Sequence, residues 1–302
     1  KFYPDLPRLG RSRMGMGVIS DTESQPITLT SHLGRFSVVT IGRIDNVEEL
    51  TKELLDKRLN FAELSGSKIN PTELVAILIS LGDTFREGIE NVHKKVKGSC
   101  SMMILTENGI YAVRDKYGRT PVVIGRNGEG YTIATDNSAF VNLDYVTDRE
   151  LGPSEAVLVT PQGVEGIVPA GKKMQICSFM WVYYGYPSSY YEGVNVEDAR
   201  YRCGCALANR DADLKDVDLV AGIPDSGIGH AIGYSNCRHI PYKRAFVKYT
   251  PTWPRSFMPS NQSMRSLVAK MKLIPNEALI KGASMVLCDD PIVRGQQLKD
   301  NI

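Results

Sequence analysis

The chain has no CxxC pair among its six cysteines, Cys100, Cys177, Cys203, Cys205, Cys237 and Cys288. Three of them sit in apolar runs where small buried thiols are usual. This argues against a disulfide framework and for a reducing cytoplasm. No signal peptide is visible, and no apolar run is long enough to span a bilayer, which argues against a membrane role. A net charge of +2 gives no electrostatic case for nucleic acid. What remains, at 42% hydrophobic and 23% charged residues over 302 positions, is an ordinary soluble composition with room for two domains.

The most informative stretch runs from Ser284 to Gln297. An apolar run (Met285 to Cys288) ends on two adjacent acids, Asp289 and Asp290, and a short loop with Arg294 and Gly295 leads to a helix starting at Leu298. A continuous apolar run suits a strand of a parallel sheet, and ligands of such sheets sit beyond the strands' carboxyl ends. The next helix would offer unpaired N–H groups and a partial positive charge to a phosphate, and Arg294 adds a forked cation. Acids beside a phosphate loop suggest a phosphorylated sugar, with carboxylates for ribose hydroxyls or Mg²⁺. An acid pair closing a strand, with Asp-Pro as a mere turn, is the alternative. A second such unit lies upstream: the strand Asp218 to Ile223, the loop Pro224-Asp225-Ser226-Gly227, and a helix from Ile228 to Tyr234. Two strand–loop–helix anion sites in one sheet are much less expected by chance than one.

Before about Gln175 the pattern differs. Short apolar runs at Phe36–Ile41, Ser101–Leu105, Gly109–Arg114, Pro121–Gly125, Thr132–Thr135 and Ala156–Thr160 read as strands, with a hairpin turn at Asn108-Gly109. Val47 to Leu55, behind an Asp45-Asn46 cap, and Pro71 to Leu81 read as helices. Antiparallel strands with helices between them suggest a layered α+β sandwich. The connection Pro161 to Lys173 places the domain boundary near Gln175, giving units 1–175 and 176–302. Cys177 to Ser189 reads as an aromatic-rich strand and turn, and Val196 to Asn209 as a helix. Cys203 and Cys205 lie two apart on that helix and cannot share a metal.

The stretch ending Asp289-Asp290-Pro-Ile-Val-Arg-Gly-Gln-Gln297 resembles the PRPP (5-phosphoribosyl-1-pyrophosphate) signature D-D-S-I-V-R-G-T-T, in the form found in glutamine PRPP amidotransferases. Pro291 replaces the usual Ser, and Gln296-Gln297 replace two hydroxyl residues that contact the 5′-phosphate. Pro224-Asp225-Ser226-Gly227 is similar to the family's V-P-(D/E)-S-G pyrophosphate loop. Phe246 to Phe257 resembles its flexible flap, with Lys248 and Arg255 at matching basic positions, and Asn261 to Pro275 resembles the helix after it. Gly109 to Gly125 is similar to the V-R-D-x-x-G-x-R-P-L-x-x-G stretch of class II glutamine amidotransferase domains. There Arg114-Asp115 and Arg119-Thr-Pro121 are expected to hold a turn through an ion pair.

The resemblance implies an αββα N-terminal-nucleophile sandwich, followed by a type I phosphoribosyltransferase α/β domain with a mainly parallel sheet. It implies amidophosphoribosyltransferase activity, the first step of purine synthesis: ammonia, from glutamine or free, displaces pyrophosphate from PRPP. Asp289 and Asp290 would serve the ribose hydroxyls and, with Ser226, Mg²⁺. Asp225, Ser226, Gly227, Lys248 and Arg255 would hold the pyrophosphate side, and Arg294, Gly295, Gln296 and Gln297 the 5′-phosphate. Purine nucleotides as inhibitors and a homo-oligomer are implied as partners. Cys177 matches a residue that ligates a [4Fe–4S] cluster in one branch, whose other ligands lie beyond Ile302. The chain ends barely one turn into a helix and opens without the family's N-terminal Cys, so the second domain is expected to be incomplete at its end and the first at its start.

The glutamine site is where the resemblance breaks down. The family's nucleophile is an N-terminal Cys activated by its own amine, and the chain begins at Lys1. Thr40-Ile41-Gly42-Arg43 stands where the family has H-N-G-N, and an Ile side chain cannot donate to an oxyanion, a loss of roughly 3 kcal/mol. Gly15 to Glu23 lacks the arginine that clamps glutamine's carboxylate, and the acid for its amino group is replaced near Pro71-Thr72-Glu73. The expectation is a retained fold with little glutamine use. A catalytically silent PRPP or nucleotide sensor on the same fold is the alternative. A salvage transferase acting on a base is a weaker one, because salvage enzymes lack such an N-terminal half.

Overall fold

Alternating apolar runs and turns build the first half of the chain. The computed structural model describes residues 12–20, 23–65, 68–249 and 273–290, and the chain divides into two units, Lys1–Cys177 and Ser178–Ile302. In the first unit the elements run β1 (Ile27–Ser31), β2 (Gly34–Ile44), α1 (Val47–Asp56), a small hairpin of β3 (Leu64–Ser65) and β4 (Lys68–Ile69), α2 (Pro71–Ser80) and α3 (Phe85–Lys95). There follow β5 (Gly98–Leu105), β6 (Ile110–Val113), β7 (Val123–Arg126), β8 (Tyr131–Ala134), β9 (Val146–Glu150), β10 (Ala156–Thr160) and β11 (Gly163–Val168). One antiparallel sheet has the order β1-β2-β5-β6-β10-β11 and a second the order β8-β7-β9. The hairpin turn between β5 and β6 closes where Thr106 N–H donates to the Gly109 carbonyl at 2.9 Å.

Two cores result. Phe36, Val38, Leu54, Leu74, Leu78, Ile89 and Ile104 gather the helices onto the larger sheet. Ala112, Val122, Ile124, Leu151, Val157 and Val159 form the second core. Fully burying one such aliphatic side chain contributes about 1.5–3 kcal/mol. Helix α2 begins with Pro71, its Thr72 N–H held by the Asn70 side chain, and it is buried from Thr72 to Ile79. Buried Glu73 accepts from the Ala62 and Glu63 N–H groups at 2.8 and 2.9 Å, so its charge is met by backbone donors.

Asn46 precedes α1 as expected but makes no capping bond. Its side chain donates to the Lys95 carbonyl and accepts from Lys97 N–H, tying the end of α3 to the start of α1. At the turn Arg114-Asp115, Arg114 lies 3.9 Å from the Glu150 carboxylate, and hydrogen bonds to the backbone add to that ion pair. Asp115 accepts from Tyr117 and Thr120 N–H at 3.0 and 2.8 Å, while buried Arg114 donates to the Gly118 carbonyl at 2.7 Å and to that of Leu151.

In the second unit the aromatic stretch departs from expectation. Met180–Tyr184 is a π-helical turn rather than a strand. Aromatic content favours strand locally, but buried Arg200 donates to the carbonyls of Trp181 and Gly185, at 2.9 Å each, with Tyr183's beyond at 3.4 Å. These bonds satisfy backbone groups that a strand partner would otherwise take. A hairpin of β12 (Tyr190–Tyr191) and β13 (Val194–Asn195) leads into α4 (Val196–Arg210), capped by the Asn195 side chain on Asp198 N–H. Then come β14 (Leu219–Gly222), α5 (Gly227–Arg238), β15 (Phe246–Lys248), β16 (Leu273–Pro275), the one-turn α6 (Glu277–Ile280) and β17 (Met285–Cys288). A disulfide joins Cys205 to Cys237 across 32 residues, against the expectation of free thiols throughout. The pairing depends on how α4 lies on α5, which cysteine spacing does not encode.

Candidate functional site

Strands β14 and β17 pair in parallel, with Leu219 opposite Met285 and Gly222 opposite Cys288. Val220 makes a further parallel bridge to Tyr242. Because the two strands run the same way and end level, their carboxyl ends deliver two loops to one edge. The Ile223 N–H donates to the Cys288 carbonyl at 2.9 Å. At Gly227 a Cβ would lie 2.4 Å from the Cys288 carbonyl oxygen and 3.2 Å from the Asp289 Cα. Only a glycine lets the start of α5 touch the end of β17 this closely.

Pro224-Asp225-Ser226-Gly227 therefore lies against Asp289-Asp290. Both acids are half-buried, Ser226 is half-buried and Asp225 is exposed. Ser226 is the N-cap of α5, yet its hydroxyl makes no capping bond, which leaves an oxygen at the strand edge beside the helix's first N–H groups. Asp289 accepts from the Asp290 N–H at 3.0 Å. Lys248, at the end of β15, donates to Asp225 at 2.6 Å. The structure thus brings Asp225, Ser226, Gly227, Lys248, Asp289 and Asp290 to one region. Arg255, Pro291, Arg294, Gly295, Gln296 and Gln297 lie outside the described residues.

Two residues absent from the sequence expectations stand behind the acids. Arg200, on α4, has its guanidinium pKa lowered by burial, with the Glu197 and Asp290 carboxylates opposing. Buried His230, on α5, is pushed below the usual imidazole range by burial, with the Val182 carbonyl, Asp290 and Glu197 pulling upward and Arg200 downward. Its Nε2 has no hydrogen-bond partner among the described residues. A lone Arg in a helix reads as a solvated face, so no sequence signal marks Arg200.

No group of three His, Cys, Asp or Glu able to hold a metal occurs among the described residues. A [4Fe–4S] cluster requires four thiolates. Cys177 is exposed and Cys203 half-buried, Cys100 and Cys288 are buried, and Cys205 and Cys237 are joined to each other. The described residues do not fit a cluster at Cys177.

The first unit holds a cavity of about 320 Å³ where the resemblance places glutamine, lined by Val18, Ile19, Glu23, Gln25, Thr40, Ile41, Gly42, Arg43 and Cys100 among others. Gly42 has φ +136°, and a Cβ there would meet the Ser99 carbonyl oxygen at 2.3 Å. That glycine is thus kept by the strand's own geometry and is no sign of glutamine binding. Thr40 and Thr72 share a hydrogen bond of 2.6 Å, and Gln25 accepts from Thr40 N–H at 2.8 Å, so these polar groups satisfy one another. The Cys100 thiol is pushed up to about 12 by burial, aided by Asp115 and Glu23. It stays protonated at neutral pH and offers no thiolate nucleophile.

Residues 11–142 match the family model of the glutamine amidotransferase domain. The chain is 34% identical to an amidophosphoribosyltransferase of Synechococcus elongatus over 90% of this chain and 55% of that protein. It is 31% identical to that of Methanocaldococcus jannaschii, over 90% and 60% respectively. Among solved structures it is similar to the Bacillus subtilis glutamine PRPP amidotransferase complexed with ADP and GMP, with TM-score 0.78 and 30% identity over 90% of this chain and 59% of that one. The chain spans between half and two thirds of the length of these relatives. No helix of the described residues is long and apolar enough to cross a membrane. The chain is thus similar to the amidophosphoribosyltransferases along most of its length, and residues 11–142 match a glutamine amidotransferase domain.

Proposed function

We propose that this chain transfers ammonia to PRPP, releasing pyrophosphate and forming 5-phosphoribosylamine, the entry to purine synthesis. The observation that carries this reading is the parallel, level pairing of β14 with β17, which sets Ser226 and Gly227 against Cys288 and Asp289. Residues 1–175 serve as the amidotransferase-like domain and 176–302 as a phosphoribosyltransferase domain whose sheet is mainly parallel.

Loss of pyrophosphate builds positive charge on the ribose ring, as in glycoside cleavage. Asp289 and Asp290 hold the ribose hydroxyls and place two negative charges beside that developing charge. The first N–H groups of α5 and the Lys248 ammonium receive the pyrophosphate, with Lys248 exchanging the Asp225 carboxylate for phosphate oxygens. Arg255 adds a second cation for the pyrophosphate, and Arg294 to Gln297 serve the 5′-phosphate. Asp289, Asp290 and the uncommitted Ser226 hydroxyl form an all-oxygen donor set that fits Mg²⁺, which when bound neutralises pyrophosphate charge. Purine nucleotides are competing ligands for the same phosphate loops, and the enzyme works in the cytoplasm as a homo-oligomer.

Free ammonia is the nitrogen source this reading favours, because Ile41 stands where the family has its oxyanion-hole Asn and the buried Cys100 thiol stays protonated. Pyrophosphate release from PRPP and Mg²⁺ with ammonium chloride, and separately with glutamine, tests the reading. Turnover with ammonia supports it. PRPP binding by calorimetry without turnover would replace it with the silent sensor.

A further inference from the structure

Helices α4 and α5 lie unusually close. A Cβ on Gly204 would fall 2.0 Å from the His230 carbonyl oxygen, and one on Gly233 would fall 2.0 Å from that of Tyr201. Backbone touching backbone at two points fixes the distance between the helices without help from any cross-link. Beyond these contacts, Cys205 and Cys237 are joined with their Cα atoms 5.4 Å apart, inside the range of roughly 4.4–6.8 Å that a disulfide needs. Since the glycine contacts set that spacing, the two sulfurs stay opposite each other in the reduced protein as well. Cys237, in the last turn of α5, is exposed, and Cys205 is half-buried, its Sγ 3.3 Å from the Gly233 carbonyl.

We propose that Cys205 and Cys237 form a reversible redox site that exchanges with small-molecule disulfides and thiols. Access decides the order of events. The exposed Cys237 thiolate attacks one sulfur of the incoming disulfide; that S–S bond breaks and one small thiolate leaves. The Cys205 thiolate then attacks the Cys237 sulfur, forming the internal bond and expelling the second small thiolate. Two cysteines lose two electrons and two protons, and the small disulfide gains them as two thiols. The second step is fast because the helix contacts hold Cys205 in place, so the mixed disulfide does not accumulate. Closing this 32-residue separation ties a loop that contains β14 and the Pro224–Gly227 turn, which limits the unfolded chain and raises thermal stability. This proposal does not depend on the transferase reading, since its readouts are thiol counts and melting temperature.

The test uses the full chain equilibrated in glutathione buffers of increasing oxidised fraction, quenched in acid, labelled with a maleimide and mapped by mass spectrometry. The expected result is joint loss of the Cys205 and Cys237 thiols with no retained glutathione, continued labelling of Cys203, and a rise in Tm of roughly 5 °C. Reduced glutathione should restore the Cys205 and Cys237 thiols and return the Tm to its starting value. The Cys237→Ser variant should show no oxidant-dependent rise in Tm, and Cys203→Ser should behave as the parent chain. Labelling of Cys205 and Cys237 that does not change across the series, or a glutathione adduct that persists on Cys237, would overturn the proposal. Both outcomes are read on the parent chain, so a variant that folds poorly leaves the test intact.

Discussion

The two units treat their inherited sites in opposite ways. In the second, the residues at the strand edge have open chemistry: Ser226 caps nothing, and Lys248 is held by one exchangeable carboxylate. In the first, the polar groups around Thr40 are consumed by one another, and Ile41 lines the cavity where the family has an Asn. A scaffold can thus outlast its chemistry, because the strands and the glycine at position 42 are held by packing, whereas a ligand site needs particular donors left unsatisfied.

The sharpest way to break this contrast is at the acids. Asp289→Asn and Asp290→Asn are each expected to lower kcat/KM for PRPP by about a hundredfold or more, since each removes charge from the developing cation. Circular dichroism should show the fold unchanged, and near-normal turnover would remove the paired-acid mechanism. Next in size, glutamine should support roughly a hundredth or less of the ammonia-dependent rate, the scale of one lost oxyanion donor. Equal rates with the two nitrogen sources would show the first unit's site to be working.

A smaller effect should fall on stability alone. Arg114→Ala leaves the buried carbonyls of Gly118 and Leu151 without their donor and is expected to cost about 3 kcal/mol in denaturant unfolding of the first unit. The PRPP affinity of the folded fraction should not move. The smallest effect concerns pH. Burial holds His93 below its ordinary value of 6.5, with the Arg114 carbonyl, Asp115 and Glu90 opposing burial and Lys116 adding to it. The unfolded chain therefore binds a proton near pH 6.5 that the folded chain refuses. Stability should be full above that pH and decline as pH falls below it. His93→Gln should flatten the decline in melts taken between pH 5 and pH 7.5, and an unchanged slope would place its origin elsewhere.

Much of this was readable in the chain. The apolar runs at Ala156–Thr160 and Met285–Cys288 became strands with those bounds, because period and turn residues agree with what packing requires. What escaped reading depends on distant partners. The π-helical turn at Met180 is set by Arg200, and Asn46 gives up its cap to hold Lys95 and Lys97. The bond from Cys205 to Cys237 exists because glycines on two helices meet. At the candidate site, the acids and the Ser226 turn carried local signals. Burial of Arg200 and His230 behind them is a product of tertiary packing.

The ion pair between Lys248 and Asp225 has one more consequence. A cation that already has a tenant presents little net field to the surroundings, so a polyanion arriving there trades places with a carboxylate and gains less long-range attraction than a bare ammonium would give. On the proposed reading, association would accordingly be slow and only weakly sensitive to ionic strength, and Asp225, once released, would be the side chain whose repulsion helps the spent pyrophosphate depart.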